Sequence, residues 1–363
     1  MDPNKLEAKL SELKMPAYRL KQAMRSYYQE LVDDWADITT WSEKLRADCA
    51  NSAWSPLTVK TVLQTQDPPS VKFAFQTADG LTIETVVMRH ADGRNTVCVS
   101  SQVGCAMGCA FCATGTMGIK RNLTAEEIVD QVVQAARWLK IQKMSIKSQV
   151  YQVAGQRPEG HDGPDRPEGR ITNIVFMGMG EPFNNPDEVF ESIRILTSPD
   201  MFGLGARHIS ISTCGIVTGI QRLAEEAPQV NLAISLHAPT QEMRQQIMPV
   251  AKAYPLDRLM RAVRKYLELT HRKVMFEYVL LEGVNDSQDD AEDLADLFNE
   301  YRHLAHVNLI NYHQTGVFKP TSEANAKKFQ NVLRRRGISV TRRISFGEEI
   351  RAACGQLATR ETE

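Results

Sequence analysis

The sequence predicts an α/β fold, namely a partial (β/α)6 barrel that follows a small N-terminal helical accessory domain and a β-hairpin. Three observations support this prediction. Apolar residues recur at helical spacing in residues 1–70, apolar and polar residues alternate in residues 71–88, and strand-like and helix-like segments alternate from residue 96 onward. Because strands that alternate with helices form parallel sheets covered by those helices, we expect a barrel or part of one.

The accessory domain spans residues 1–70 and is expected to be mostly helical. The apolar face of its first helix consists of Leu6, Leu10 and Leu13. Pro16 interrupts the helical pattern, and a second helix is predicted from Tyr18 to Val32. Residues 71–95 form the hairpin region, because their alternating pattern is interrupted by an Asp-Gly pair that is typical of a hairpin turn.

The barrel is assigned to residues 96–350. Its six predicted strands are residues 96–102, 171–178, 208–214, 231–237, 274–281 and 306–310. The clearest of the intervening helices starts at Thr124, which can form a capping box with Glu127, and another starts near Ser287. Ligands of such folds bind at the carboxyl ends of the strands, so motifs at those ends are the candidate site residues.

Two segments fall outside this pattern. Residues 141–170 are rich in Pro, Gly and charged residues and are predicted to be an exposed insertion in the barrel. Residues 351–363 form a C-terminal segment in which Cys354 is followed by a glycine. An isolated cysteine is more often a small buried apolar residue than a reactive thiol. Both interpretations of Cys354 therefore stay open at this point.

Composition and charge exclude several classes of protein. Apolar residues make up 42% and charged residues 24% of the 363 residues, as in ordinary globular proteins. The net charge of -1 is not that of a protein that binds nucleic acid over its whole surface, so RNA binding would depend on local basic patches. The N-terminus lacks the apolar region of a signal peptide, and no apolar run is long enough to span a membrane. We expect a cytoplasmic protein with no membrane association.

Three of the seven cysteines are closely spaced. An odd cysteine count without a secretion signal argues against a disulfide framework. Cys105, Cys109 and Cys112 follow the first barrel strand on a short loop that contains glycine. Three thiolates can bind three irons of a [4Fe-4S] cluster and leave the fourth iron open to the amino and carboxylate groups of a substrate. The alternative is a structural zinc site, which needs a fourth ligand that the nearby sequence does not offer.

Further motifs lie where the next strands end. Gly180 and Glu181 belong to a glycine-rich turn after the second strand, where the backbone can approach a ligand closely and a carboxylate can bind an ammonium group. The ends of the third and fourth strands carry Ser212, Ser235, Leu236 and His237. Hydroxyl groups at this edge can bind a ribose or a carboxylate, although each of these residues alone is also common in ordinary turns and cores.

Four motifs together closely resemble the RlmN/Cfr family of radical S-adenosylmethionine RNA adenine methyltransferases. They are CVSSQVGCAMGCAFCATG, FMGMGEP, ISLHAP and AACGQL, and the resemblance covers nearly the whole chain. It implies a radical S-adenosylmethionine (radical SAM) barrel, with a [4Fe-4S] cluster on the three clustered cysteines and S-adenosyl-L-methionine as methyl donor and radical source. The residues that it assigns to S-adenosylmethionine are Gly180, Glu181, Ser212, Ser235, Leu236, His237 and His313.

In this family the methyl group reaches the RNA through a cysteine. The resemblance implies that Cys354 accepts a methyl group from one S-adenosylmethionine, and that a 5′-deoxyadenosyl radical from a second one activates this group for addition to an adenine ring carbon. Cys98 would then release the product by forming a disulfide with Cys354. Glu84 would accept the ring proton. Carbon 2 is the expected position, and carbon 8 is the alternative.

Two positions depart from the family pattern. Family members usually have an Asn that contacts S-adenosylmethionine where this chain has His313, and an imidazole cannot replace both hydrogen bonds of an amide. Asn311 is an alternative contact, two residues earlier. The run SFGEEI replaces an RGDDI-like run before the C-terminal segment, which leaves the choice between carbon 2 and carbon 8 open.

The resemblance implies RNA as the substrate, with 23S rRNA expected and tRNA as a second candidate. An adenine must leave the base stack before its ring edge is reachable. Two groups could contact phosphates, namely Tyr18, Arg19, Lys21, Arg25, Tyr27 and Tyr28 and, second, Arg334, Arg335, Arg336, Arg342 and Arg343; an ordinary solvated helix face is the alternative for each residue. An external one-electron reductant such as flavodoxin and a monomeric chain are also expected. The alternatives are a radical enzyme of another reaction type and a non-catalytic iron–sulfur RNA-binding protein.

Overall fold

A computed structural model describes residue 1, residues 3–153 and residues 169–358. The strands are β1 (Leu57–Gln66), β2 (Pro69–Thr77), β3 (Thr82–Arg89), β4 (Asn95–Cys98), β5 (Gln102–Cys105), β6 (Gly118–Asn122), β7 (Asn173–Phe176), β8 (Ile209–Thr213), β9 (Asn231–Ser235), β10 (Val274–Leu280), β11 (Ala305–Asn311) and β12 (Ser339–Arg342). The α-helices are α1 (Pro3–Glu12), α2 (Tyr18–Arg25), α3 (Glu43–Cys49), α4 (Ala113–Thr116), α5 (Ala125–Val153), α6 (Pro186–Thr197), α7 (Val217–Glu226), α8 (Gln241–Ile247), α9 (Leu256–Thr270), α10 (Gln288–Asp296) and α11 (Glu323–Arg335). None of the helices in the described ranges is both long and apolar enough to cross a membrane.

Ten strands form one sheet in the order β1-β2-β3-β4-β7-β8-β9-β10-β11-β12. The pairs from β1 to β4 are antiparallel, and every pair from β4 to β12 is parallel. β5 and β6 form a separate antiparallel pair. In the described chain β1 and β12 are the sheet edges, so the barrel is open. The predicted α/β partial barrel is confirmed, and its six predicted strands are present together with a seventh parallel strand, β12.

The N-terminal region differs from the prediction. The predicted helical domain, residues 1–70, is helical only as far as Cys49, and β1 occupies Leu57–Gln66. The β-branched residues of β1 favour a strand, but as an edge strand it buries little, so it lacks a strong alternating pattern. The predicted hairpin is confirmed as β2 and β3, which β1 extends to three antiparallel strands.

Helix α5 also differs from its predicted length. Thr124 and Glu127 form the predicted capping box, since each backbone N–H bonds to the other side chain at 3.0 and 3.3 Å. The helix continues to Val153, so the first part of the predicted insertion 141–170 is helical and not a loop. No Pro or Gly interrupts the sequence before Gly155. The remainder of that prediction concerns residues 154–168, which lie outside the described residues.

Asp130 of α5 connects the N-terminal helices to the barrel. Its carboxylate is fully buried and accepts hydrogen bonds from the hydroxyls of Tyr27 and Ser55 and from the backbone N–H of Leu57. The guanidinium of Arg137, about two turns further along α5, lies 4.9 Å from the centre of the Tyr27 ring. The N-terminal helices and the sheet share one contiguous apolar core. These contacts fix the first 57 residues against the outside of the barrel.

We expect the isosteric substitution Asp130→Asn to lower the free energy of unfolding by about 1–3 kcal/mol, because an amide cannot accept from all three donors and leaves buried polar groups unsatisfied. Urea denaturation would measure the change. Asp257→Asn is the matched control, since Asp257 is exposed and pairs only with Arg261 one turn away, and such a change costs about 0.5 kcal/mol or less. Equal losses in both variants would contradict the role of Asp130.

Candidate active site

A cavity opens at the carboxyl ends of the parallel strands. Its empty volume, including space that is open to solvent, is about 930 Å³. Nine of the predicted site residues line it: Cys105, Cys109, Cys112, Gly180, Glu181, Ser212, Ser235, His237 and Cys354. These residues lie at or after the ends of four strands, β5, β7, β8 and β9, and in the C-terminal segment. This placement agrees with the expectation that the strand ends form the site.

The cysteine loop begins at the end of β5. Cys105 and Cys109 are buried and Cys112 is partly exposed, and all three are free thiols. The loop is held from both sides, because the N–H of Ala110 donates to the carbonyl of Ile247 at 2.9 Å and the N–H of Ala113 donates to the carbonyl of Gly355 at 2.8 Å. Burial raises the pKa of the Cys105 thiol to about 12, so thiolates here require a positive centre.

The three thiols fit a cluster better than a single metal ion. Among the described residues, no group of three His, Cys, Asp or Glu side chains converges on a position that could hold one ion. A zinc site needs all of its ligands at about 2.0–2.3 Å from the same ion, whereas a [4Fe-4S] cluster presents a separate iron to each thiolate. The three thiols on one loop therefore match the donor set of the cluster that the resemblance implies.

The glycine-rich turn after β7 packs tightly on the strand beside it. A Cβ at Gly178 would lie 2.7 Å from the carbonyl oxygen of Val99, and a Cβ at Gly180, whose φ is +102°, would lie 2.6 Å from the side chain of Gln102. Glu181 is consequently buried at the cavity wall. Its carboxylate accepts hydrogen bonds from the N–H of Cys214 at 2.7 Å and the N–H of Phe183 at 3.0 Å.

Burial raises the pKa of Glu181, and the bonds from Cys214, Thr213 and Phe183 oppose that rise. These donors already occupy lone pairs on both carboxylate oxygens.

Ser212, Ser235 and His237 line the wall formed by β8 and β9. The hydroxyls of Ser212 and Ser235 are 3.0 Å apart. Nδ1 of His237 accepts a hydrogen bond from the N–H of Val279 at 3.0 Å, and burial lowers the pKa of this imidazole to about 3. The neutral ring therefore carries its proton on Nε2 and offers one donor. This wall presents hydroxyl and imidazole groups to a polar ligand.

Cys354 lines the cavity, and Cys98 lies near Cys354 but outside the lining. Cys354 is exposed and lines the cavity, whereas Cys98 is buried at the end of β4, and both are free. Burial raises the pKa of the Cys98 thiol to about 12, and the nearby Cys354 raises it further. The Arg343 guanidinium donates a hydrogen bond to Cys354. It also lies 3.5 Å from the carboxylate of Glu277 and 3.4 Å from the sulfur of Met177.

Glu84 lies outside the cavity lining. It is 5% exposed, and its carboxylate pairs with Lys72 at 2.9 Å and accepts the N–H of Ala358 at 2.9 Å. Burial raises its pKa, and Lys72 opposes that rise. Lys72 also donates to the carbonyl of Arg351 at 3.4 Å. Glu84 and Lys72 therefore hold the C-terminal segment on both sides of Cys354.

Two further predicted residues do not line the cavity. Leu236 is fully buried in the core. His313 is buried with both ring nitrogens occupied, by the Ser345 hydroxyl at 2.8 Å and the Glu348 carboxylate at 3.1 Å. Asn311, the alternative contact, accepts from Arg342 at 3.2 Å and is also outside the lining. In this structure His313 is a support for the segment that precedes Cys354.

The predicted RNA-contact residues differ in their surroundings. Tyr27 and Tyr28 belong to the core and do not form an RNA surface. Arg343 lies in the cavity wall. Arg25, Arg336 and Arg342 pair with acidic residues, and the partly exposed Arg19 donates to Gln22 and to the carbonyl of Thr40. The residues that remain exposed are Tyr18, Lys21, Arg25, Arg334 and Arg335.

Several cavity residues were not predicted. Cys214 follows β8 and forms a side-chain hydrogen bond with Cys109. Glu277 is a carboxylate within the otherwise apolar run of β10, and that pattern was a usable signal. Arg343 follows β12, whose four residues are too short to show strand periodicity.

Comparisons with known proteins identify the family of this chain. The model of the radical SAM superfamily matches residues 166–298. A probable dual-specificity RNA methyltransferase RlmN from Geobacillus kaustophilus is 44% identical over 95% of this chain and 87% of its own length. A ribosomal RNA large subunit methyltransferase Cfr from Clostridium botulinum is 38% identical over 97% and 96%.

A solved structure gives the same result for the fold. The crystal structure of a radical SAM methyltransferase from Sphaerobacter thermophilus superposes with a TM-score of 0.86 at 43% identity and covers 98% of this chain and 97% of that one. Identity at this level over nearly the full length, together with the shared fold, assigns the family. The chain belongs to the RlmN/Cfr family of radical SAM RNA methyltransferases.

Proposed function

We propose that this chain methylates a ring carbon of adenine in 23S rRNA, with tRNA as a second candidate substrate, through an S-methylcysteine at Cys354. The observation that carries the proposal is that Cys354 shares one cavity with Cys105, Cys109 and Cys112. The names of the relatives, ribosomal RNA large subunit and dual-specificity RNA methyltransferases, support an RNA substrate. We favour carbon 2 over carbon 8, because the RlmN relative is 44% identical and the Cfr relative 38%.

The residues around the cavity fit both cofactors of the family. Cys105, Cys109 and Cys112 would each bind one iron of a [4Fe-4S] cluster. Glu181 and the Gly180 backbone would hold the amino acid end of S-adenosylmethionine, and the hydroxyl and imidazole groups of the β8–β9 wall would hold its polar remainder. When bound, the cluster supplies one electron and S-adenosylmethionine supplies a methyl group and a hydrogen-abstracting radical.

Cys354 and Cys98 carry the covalent chemistry in this proposal. Sγ of Cys354 would hold the methyl carbon, which loses one hydrogen atom to the 5′-deoxyadenosyl radical and bonds to the adenine ring carbon; the adduct would then lose the ring proton and one electron, which balances the electron used to form that radical. Sγ of Cys98 then attacks Sγ of Cys354, so that a disulfide bond forms as the sulfur–carbon bond breaks. The released carbon keeps the electron pair and takes up a proton, which leaves a methyl group on the RNA. The proximity of the two free thiols supports this exchange.

Glu84 is the proposed acceptor of the ring proton. Its raised pKa would make it a stronger base than an exposed carboxylate. The hydrogen bond from Ala358 attaches it to the segment that carries Cys354. Movement of this segment would therefore change the access to both groups together.

The proposal also needs partners. An external one-electron donor such as flavodoxin would reduce the cluster. The chain would act as a monomer, because every group proposed above comes from one chain, and it would work in the cytoplasm, where its RNA substrate is found.

The first test is the reaction itself. We expect anaerobically reconstituted protein with reductant, S-adenosylmethionine and unmodified 23S rRNA to yield methyladenosine, detected by mass spectrometry of the digested RNA. Cys354→Ala should abolish the product, because the methyl acceptor is gone. Cys49→Ala is the control, since Cys49 lies in α3, far from the cavity in sequence and structure, and should retain the product.

Retention time against standards would assign carbon 2 or carbon 8. Formation of 5′-deoxyadenosine without methyladenosine on 23S rRNA or tRNA would overturn the RNA proposal while leaving the cluster in place. Formation of methyladenosine by Cys354→Ala would overturn the S-methylcysteine.

Arg343 should control the ionisation of Cys354. The guanidinium lowers the pKa of this thiol against the effect of burial, so its removal should raise the pKa and move the midpoint of Cys354 alkylation to higher pH. Alkylation by iodoacetamide across a pH series, followed by mass spectrometry of the Cys354 peptide, would measure this in Arg343→Gln. Arg342→Gln is the matched control, because Arg342 pairs with Glu323 instead. Coincident profiles for all three proteins would exclude the effect.

RNA binding should depend on the exposed arginines of two helices. Arg25 is in α2 and Arg335 is in α11, and charge reversal at either should weaken binding and reduce the slope of log affinity against log salt by about one. Binding to an rRNA fragment at several salt concentrations would measure both quantities. Arg261→Glu on α9 controls for a general change in charge. An unchanged affinity and salt slope at Arg25 and Arg335 would remove these helices from the RNA surface.

A further inference from the structure

Arg244 is a fully buried cation beside the cysteine loop. It lies on α8, the helix that follows β9, and its side chain is 0% exposed. The C-terminal end of α8 contacts the loop directly, because the carbonyl of Ile247 accepts the N–H of Ala110 between Cys109 and Cys112. Arg244 does not line the cavity. A ligand in the cavity therefore does not touch it.

The hydrogen bonds of Arg244 go to neutral groups. Nε donates to the carbonyl of Leu236 at 3.2 Å, and Nη2 donates to the carbonyls of Cys214 at 2.6 Å and Ser235 at 3.3 Å. Nη1 has no hydrogen-bond partner. In the described part of the chain, no carboxylate forms a salt bridge with Arg244.

A buried guanidinium in this condition is costly. Backbone carbonyls accept hydrogen bonds from Nε and Nη2 of Arg244 but do not neutralise its charge. Buried charges in proteins are normally paired with an opposite charge. Arginine also cannot escape the cost by losing its proton. The groups near Arg244 that can carry negative charge are the thiols of Cys214 and Cys109. Of these, Cys109 is a proposed cluster ligand, and Cys214 shares a hydrogen bond with it.

We propose that Arg244 is the buried counter-charge of the iron–sulfur cluster and raises its reduction potential. This inference rests on the proposed function only in requiring a cluster on Cys105, Cys109 and Cys112. A [4Fe-4S] cluster with three thiolate ligands is anionic, and uptake of an electron adds one more negative charge. A fixed cation in a low-dielectric site stabilises the reduced form more than the oxidised form. Arg244 would thus make the cluster easier to reduce by the external donor.

A purely structural role is the competing explanation. Arg244 joins α8 to the ends of β8 and β9 through three carbonyl groups, and this alone could account for its burial. The two explanations differ in whether the charge of residue 244 affects the reduction potential of the cluster. A structural tie predicts a change in stability with no change in reduction potential, whereas a counter-charge predicts that the potential follows the charge at position 244.

The test compares Arg244→Gln and Arg244→Lys with the wild-type protein after anaerobic cluster reconstitution. Iron and sulfide content and the visible spectrum establish the cluster, and potentiometry monitored by electron paramagnetic resonance gives the midpoint potential. We expect Arg244→Gln to have a more negative midpoint than wild type and Arg244→Lys to remain close to wild type near neutral pH. Arg222→Gln, which removes an exposed arginine on α7, should leave the potential unchanged.

A second measurement decides the question if Arg244→Gln does not fold. A buried lysine loses its proton at accessible pH, whereas arginine stays charged. The midpoint potential of Arg244→Lys should therefore fall as pH rises through the lysine pKa, beyond any change that wild type shows. The other titratable groups here, namely His237, Cys214, Cys109 and Glu181, are common to both proteins, so the difference between the two profiles reports position 244.

The outcomes separate this inference from the proposed function. If wild-type protein assembles no four-iron cluster, the proposed function fails. If the cluster assembles and all variants share the wild-type potential and pH profile, the proposed function stands and the counter-charge is overturned. Loss of stability in both variants at an unchanged potential would assign Arg244 the structural role.

Discussion

The parallel pairing of seven strands is the constraint on which the rest of the structure depends. Because β4 and β7 to β12 run in the same direction, their carboxyl ends meet at one edge of the sheet. Residues far apart in sequence, such as Glu181 after β7 and Arg343 after β12, therefore line the same cavity. The close packing of Gly178 and Gly180 on the β4–β5 segment then sets how near the Glu181 turn lies to the cysteine loop.

The position of the chain that follows β12 depends on both ends of this open sheet. It leaves β12 at Arg342, and Phe346 contacts the ring of His90 next to β3. Bonds from Lys72 and to Glu84 hold it at the antiparallel strands, and Gly355 binds the cysteine loop. The position of Cys354 is thus fixed by contacts of its segment with the N-terminal strands and the cysteine loop, and by its connection to the last strand. A lone cysteine in the sequence gains its chemical setting only from this assembly.

The sequence was sufficient to predict the barrel and nine of the residues that line the cavity. Its strands carry strong apolar runs, and the clustered cysteines and the glycine-rich turn are local motifs whose positions at strand ends follow from the fold class. The misplaced residues depended on non-local contacts. His313 turns towards Ser345 and Glu348, and Tyr27 is buried because Asp130, about 100 positions later, accepts its hydroxyl. No pattern near either residue encodes those partners.

Two arginines near the cavity, the partly exposed Arg343 and the buried Arg244, differ in their surroundings. Arg343 contacts Cys354 and the carboxylate of Glu277, so its charge is already balanced in the protein and acts on a thiol. Arg244 has only carbonyl partners and an unpaired Nη1, so its charge is not balanced until an anion is bound nearby. In a low-dielectric interior a paired charge acts mainly on its neighbours, while an unpaired one interacts over a longer distance. Ionisation of the Cys354 thiol and reduction of a bound cluster would therefore be governed by separate cations. Because these follow different strands, each can be changed without altering the other.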